Sequence, residues 1–175
     1  MLVGSALSLS GAAYQGVFKN PLVAPDLLGV SSGACVGASV AILLHLNSFG
    51  VQAMAFVAGI LAVGLTLFIP RLIKNTNMTM LVLSGIIVKG IMDSVMGIIK
   101  YVADPETELQ SITYWQLGSL TKVLPKDLFT VGPVIVAASV IIFLLRWRIN
   151  ILSLGDREAK TLGVSVTVVR NFIII

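Results

Sequence analysis

Charge is what this chain has least of. Asp, Glu, Lys and Arg make up 11% of its 175 residues, against about 25% in an average soluble domain. Between Leu27 and Pro70, a run of 44 residues, none of the four occurs. Roughly 20 apolar residues suffice to cross a bilayer, so this run reads as two spans joined at Leu46-Asn47-Ser48-Phe49-Gly50 rather than as a hairpin in a soluble core. Cysteine is equally scarce. Cys35 is alone, which excludes an intrachain disulfide framework and gives too few ligands for a metal site. The single histidine, His45, stands at the end of a span and reads as packed or interfacial rather than ligating. There is no Gly-rich phosphate loop with Lys-Ser/Thr, no His-Glu-x-x-His and no Gly-x-Ser-x-Gly elbow. Enzymatic catalysis is therefore not expected, no catalytic or metal-binding residue is assigned, and any ATP used must be bound by another chain. No basic segment follows Met1, which argues against a cleaved signal peptide. Solenoid repeats and low-complexity tracts are missing, and no nucleic-acid partner is expected.

What is present is hydrophobicity: 57% of residues are hydrophobic and the mean hydropathy is +0.99. The pattern predicts an all-α, polytopic membrane bundle in one domain over residues 1–175. Five spans are expected, Met1–Phe18, Gly29–Leu46, Val51–Ile69, Met78–Tyr101 and Leu128–Leu145, with part of a sixth at Val164–Ile175. Lys19, then Arg71 and Lys74, then Arg146, Arg148, Arg157 and Lys160 fall at alternate ends, which the positive-inside bias makes cytoplasmic. The Asn47–Gly50 turn and Asp104-Pro105-Glu106-Thr107-Glu108 fall on the other side, where Lys100, Lys122 and Lys126 weaken the asymmetry without reversing it. Trp147 beside two arginines suits an interface. Gly4, Ser8, Ala12 and Gly16 line one face of the first span, and Gly29, Gly33, Gly37 and Ala41 one face of the second, as in closely packed helices.

Four segments stand out from this background. Between the first two spans, Lys19-Asn20-Pro21-Leu22-Val23-Ala24-Pro25-Asp26 interrupts the helix, which restarts at Gly29 with Ser31, Ser32 and Gly33. Irregular backbone at membrane depth survives only where protein or water covers it. Lys89 and Asp93 lie inside a span, four apart, with Ser84, Gly85 and Gly97 nearby on the same helix. A charge at such depth costs about 2.5–3.5 kcal/mol on insertion scales. The two residues are either a polar wall or relay along a substrate path, or a helix-internal pair that neutralises itself, and the missing second acid of a relay favours the pair. Ala103–Thr121 is too polar to span. Asp104-Pro105-Glu106 suits a helix start and Gly118 a stop, giving a short outer helix that covers a pathway mouth, meets a partner or lies in the headgroups. Leu152–Gly163 reads as a short cytoplasmic helix, with Ser153 as cap, Asp156 three residues later and Gly163 as stop. Its Leu154, Ala159 and Leu162 suit docking into a partner's groove, or else rest on the bilayer.

Several of these segments together resemble one family. Gly11-Ala12-Ala13-Tyr14-Gln15, Asn20-Pro21-Leu22-Val23-Ala24-Pro25-Asp26-Leu27-Leu28-Gly29-Val30-Ser31-Ser32-Gly33-Ala34, Leu83-Ser84-Gly85-Ile86, Trp115-Gln116-Leu117-Gly118-Ser119-Leu120, Leu152-Ser153-Leu154-Gly155-Asp156 and Ala159-Lys160-Thr161-Leu162-Gly163-Val164 occur in order. They are similar to FecCD-type permeases, the membrane subunits of ABC importers for iron-siderophores, haem and cobalamin. The resemblance implies about ten spans in the whole protein, with Met1–Phe18 as the second, and a multi-pass subunit in the cytoplasmic (inner) membrane of a prokaryote. It implies a second permease subunit (the same chain or a paralogue), a cytoplasmic ABC ATPase, an extracytoplasmic substrate-binding protein and no cofactor of the permease itself. The ATPase-coupling helix then maps onto Leu154, Gly155, Asp156, Arg157, Glu158, Ala159, Lys160, Leu162 and Gly163. The break through Gln15, Asn20, Pro21, Pro25, Gly29, Ser31, Ser32 and Gly33 shapes the pathway, and Ser84, Gly85, Lys89 and Asp93 form its candidate wall. Lys89 and Asp93 depart from the small or hydroxyl residues expected there. Other readings are an ion-coupled transporter or channel using Lys89 and Asp93, and an ABC permease for another metal cargo.

Overall fold

A computed structural model describes residues 1–74, 77–119, 125–163 and 165–174, with Lys126, Asp127, Asp156, Arg157 and Thr167 described by their backbone only. The expected Leu120, Lys122 and Val164 lie outside the described residues. The helices are α1 (Leu2–Phe18), α2 (Val30–Leu43), α3 (Ser48–Leu72), α4 (Met78–Val102), α5 (Glu108–Leu117), α6 (Pro125–Leu144), α7 (Arg146–Leu154), α8 (Asp156–Thr161) and α9 (Val166–Ile174), with one 3-10 turn at Pro25–Leu28. No strand occurs among the described residues. Each expected span has a helix. By length and composition α3 and α4 can cross a membrane alone, and α6 with α7 forms a further candidate bent by 51°.

Two compact units divide the chain, Asp26–Leu120 and the pair of segments Met1–Pro25 and Thr121–Ile175. In the first, α2 lies antiparallel to α3 at glycine-level separation. A side chain on Gly33 would strike Ala62 and Ala58, and one on Gly37 would strike Met54 and Ala58. Small residues thus trade side-chain volume for backbone contact, the usual basis of helix packing in lipid. The turn between these helices is closed by Asn47, whose side chain accepts from Gly50 N at 2.9 Å. Phe56, Leu61, Leu65 and Phe68 of α3 and Ile86, Ile91 and Ile98 of α4 stay exposed. In a soluble protein so much exposed apolar surface would aggregate, whereas a bilayer solvates it.

Helix α5 starts later than its sequence suggests. Asp104 first forms a side-chain turn, accepting from Glu106 N at 2.8 Å, while Glu108 reaches back to Asp104 N at 3.1 Å. These local bonds take the donors that a helix from Pro105 would order differently. The expected stop at Gly118 is present, its N–H donating to Tyr114 and Trp115 carbonyls. Ile112 plugs into a cluster with Met96, Ile99 and Ala103, against which Cys35 and Leu109 also pack. His45 Nε2 lies 3.4 Å from Glu108 Oε1.

In the other unit, α1 packs on α6, α7 and α9. Tyr14 stacks on Phe18 and donates its hydroxyl to the Ile174 carbonyl at 3.0 Å. Of the small-residue face of α1, Gly16 meets Ile149 of α7, whereas Gly4, Ser8 and Ala12 are exposed.

Candidate functional site

The break is built in two parts. Before Pro25, α1 ends at Lys19, whose backbone is left-handed at φ 51°. Gln15 Nε2 then donates to the Pro21 carbonyl at 3.1 Å, and the Asn20 side chain accepts from Leu22 N at 2.9 Å. Pro21 is exposed. The side chains of Gln15 and Asn20 therefore replace helical partners for backbone that two prolines prevent from continuing the ladder.

After Pro25, the 3-10 turn delivers the chain to Gly29, at φ 76° and ψ 14°. This left-handed position suits glycine, and Lys89 backbone lies against it, leaving scant room for a Cβ. Helix α2 restarts there with Ser31 exposed, Ser32 half-buried and Gly33 buried. Three long-range contacts hold this part. The Leu27 carbonyl sits on Gly85, where a side chain would collide with it. Thr66 Oγ1 donates to the Leu28 carbonyl at 3.0 Å, with both residues 0% exposed. Lys89 Nζ donates to Asp26 Oδ2 at 2.9 Å. Irregular backbone is thus enclosed by protein and its carbonyl supplied with a donor, as a low-dielectric setting demands.

The depth of this arrangement follows from α4. Lys89 is the twelfth of its 25 residues, about 17 Å from the helix start at 1.5 Å per residue. The break after Pro25 therefore meets α4 at mid-length, not at its Met78 end.

Among the wall residues, Ser84 is fully buried and bonds its own helix at the Met80 carbonyl, 2.8 Å away. Gly85 is covered by Leu27. Only Lys89 and Asp93 present surface. The expected helix-internal pair of these two is not formed; Lys89 turns instead to Asp26, a carboxylate carried by the 3-10 turn. Sequence reasoning missed both Asp26 as partner and Thr66 as donor. The one available signal for Thr66 was a hydroxyl in a span with few polar residues.

The segment Leu152–Gly163 is not one helix. Ser153 lies inside α7 and donates to the Asn150 carbonyl at 2.7 Å rather than capping. The chain breaks at Gly155, at φ 150° and ψ 157°, a conformation essentially reserved for glycine. Glu158 folds over it, and α8 then runs to Thr161. Gly163 N donates to the Lys160 carbonyl at 3.0 Å, the expected stop. Leu154 and Leu162 are exposed, at 67% and 60%. Ala159 is 0% exposed, so it anchors α8 inward and offers nothing to a partner. Glu158 and Lys160 are exposed, and the Asp156 and Arg157 side chains lie outside the described residues. Arg146 closes the α6 end by stacking over Phe143, 4.4 Å from the ring centre.

The family model described as the FecCD transport family matches residues 1–175. A probable iron chelatin transport system permease protein of Helicobacter pylori is 37% identical, covering 100% of this chain and 52% of its own. The molybdate import system permease protein MolB of Haemophilus influenzae is 34% identical over 99% of this chain and 52% of its own. The hemin transport system permease protein HmuU of Yersinia pestis is 34% identical over 95% and 51%. A solved structure described as an inward-facing conformation of a metal-chelate type ABC transporter matches with TM-score 0.90 and 33% identity, over 99% of this chain and 55% of that one. The chain thus spans about half the length of the curated relatives it matches. With the family model matched from the first residue to the last, this chain belongs to the FecCD transport family.

Proposed function

We infer that the chain is part of the membrane permease subunit of an ATP-driven ABC importer for an iron chelate, haem or cobalamin. The observation that carries this reading is the family match over residues 1–175, in a chain whose α3 and α4 are long and apolar enough to cross a membrane. Relatives named for iron chelatin and hemin support the cargo class. The chain makes up part of one permease domain in the cytoplasmic (inner) membrane of a prokaryote and binds no cofactor itself. ATP hydrolysis belongs to a separate cytoplasmic ATPase, which docks on the α7–α8 elbow through the exposed Leu154 and Leu162. A rigid docked element of this kind can pass nucleotide-driven closure to the spans. A second permease subunit and an extracytoplasmic binding protein complete the assembly. The break shapes the pathway, and Lys89 with Asp93 forms its polar wall.

The relative named for molybdate supports a second cargo with the same machinery. An ion-coupled route through Lys89 and Asp93 is disfavoured, because Asp26 already neutralises the lysine.

The test is uptake by the full-length protein with its ATPase and binding protein in liposomes. ATP-dependent accumulation of labelled ferric chelate, haem or cobalamin is expected. Molybdate accumulation in their place changes the cargo, and ATP-independent uptake that collapses in Asp93→Asn overturns the importer reading.

A further inference from the structure

Three charged side chains gather near the middle of α4. The Lys89–Asp26 pair closes at 2.9 Å while the two side chains keep 44% and 46% of their surface. Asp26 Oδ1 is enclosed and has no hydrogen-bond partner among the described residues. Ser31, in the first turn of α2, brings its hydroxyl and N–H toward the same carboxyl without completing a bond to Oδ1. Asp93 stands one helical turn beyond Lys89, on the same face. It is exposed and makes no ion pair or hydrogen bond among the described residues, yet its charge acts on the ammonium. Lys89, on a flexible four-carbon stem, therefore has two carboxylates in reach, and Asp26 has two sets of donors.

Close approach of the break to α4 does not by itself call for a charged pair. Gly85 and Gly29 already let the backbones meet, and Thr66 secures the Leu28 carbonyl. An apolar pair of similar volume would fill the same space without desolvating charge. One lysine between two acids on different elements is instead suited to exchange.

We propose that Lys89 trades partners, from Asp26 on the break to Asp93 on its own helix, and that this trade releases the break from α4 during transport. In the arrangement seen here the ion pair latches the break. In the other, Lys89 and Asp93 close as an i,i+4 pair, and the freed Asp26 carboxylate caps α2 through Ser31 at the positive end of that helix. One ion pair survives in each arrangement, so the ammonium is never left alone at a depth where isolated charge is least tolerated. Two arrangements that each keep one ion pair are what a ligand or a docked ATPase can bias. The trigger rests on the importer reading.

The test uses the full-length permease with its ATPase in liposomes, carrying Leu27→Cys and Ile86→Cys in a Cys35→Ser background. Cross-linking of this pair reports the break lying against α4. Yield is expected to differ at least about fivefold between the nucleotide-free and ATP-trapped states. Asp93→Asn, which removes the second partner, holds the yield high in both states and lowers ATP-driven uptake. Asp93→Glu restores switching, and Asp26→Asn keeps the yield low. Equal yield in both states of a protein that transports, or normal switching in Asp93→Asn, overturns the latch. Absence of ATP-driven uptake in the unsubstituted protein overturns the importer reading instead. The latch is then decided by Asp93→Asn alone, and a yield no higher than that of the unsubstituted protein overturns it.

Discussion

Thr66 shows how much can depend on one hydroxyl. It reaches the Leu28 carbonyl where both residues are fully buried, and a carbonyl outside a helix has no water there to accept from. Thr66→Val keeps the volume and removes the donor. It is expected to destabilise the protein by about 1–3 kcal/mol, the cost of a buried unpaired acceptor, read as a lower unfolding midpoint in detergent, while Thr66→Ser stays near the parent. An unchanged midpoint in Thr66→Val would mean that the carbonyl finds another donor. Gly85→Val tests the neighbouring contact: its side chain would meet the Leu27 carbonyl, so the midpoint should fall by at least as much. The sequence announced irregular backbone plainly through Pro21, Pro25 and Gly29. It did not announce what closes it. The acid nearest Lys89 along the helix is Asp93, yet the bonded one is 63 residues away, and periodicity carries no information about such pairings.

At the scale of elements, helix positions were legible because hydrophobic runs of membrane length have few alternatives. Ends were less so. Both α5 and the α7–α8 elbow depart from expectation where Asp104, Glu108 and Ser153 use their side chains on local backbone, and several such bonds compete within one short stretch. The elbow offers a clean separation of folding from coupling. Leu162 is exposed, so Leu162→Glu should leave insertion and assembly intact while uncoupling ATP hydrolysis from uptake; coupled uptake at the parental rate would remove α8 from the docking surface. Gly155→Ala acts on geometry instead. Its φ of 150° strains any side chain by roughly 1–3 kcal/mol, and the expected outcome is the same uncoupling, with a lowered unfolding midpoint as well.

For the molecule as a whole, the charge pattern predicts sidedness. In a Cys35→Ser background, single cysteines at Lys74 and Lys160 should react with a membrane-impermeant maleimide only from the cytoplasmic side, and one at Glu106 only from outside. Labelling of Lys74→Cys and Glu106→Cys from the same side would invert or abolish this topology. Helix α2 adds a constraint on how that topology arises. Its 14 residues extend about 21 Å, short of the roughly 30 Å hydrocarbon core. A helix that cannot cross by itself has poor prospects of leaving the insertion machinery alone. The Leu44–Asn47 turn joins it directly to α3, the 25-residue helix on which its glycines pack. During biosynthesis the two should therefore enter the lipid together as a preformed hairpin, so that mutations in α3 surface first as failures in the topogenesis of α2.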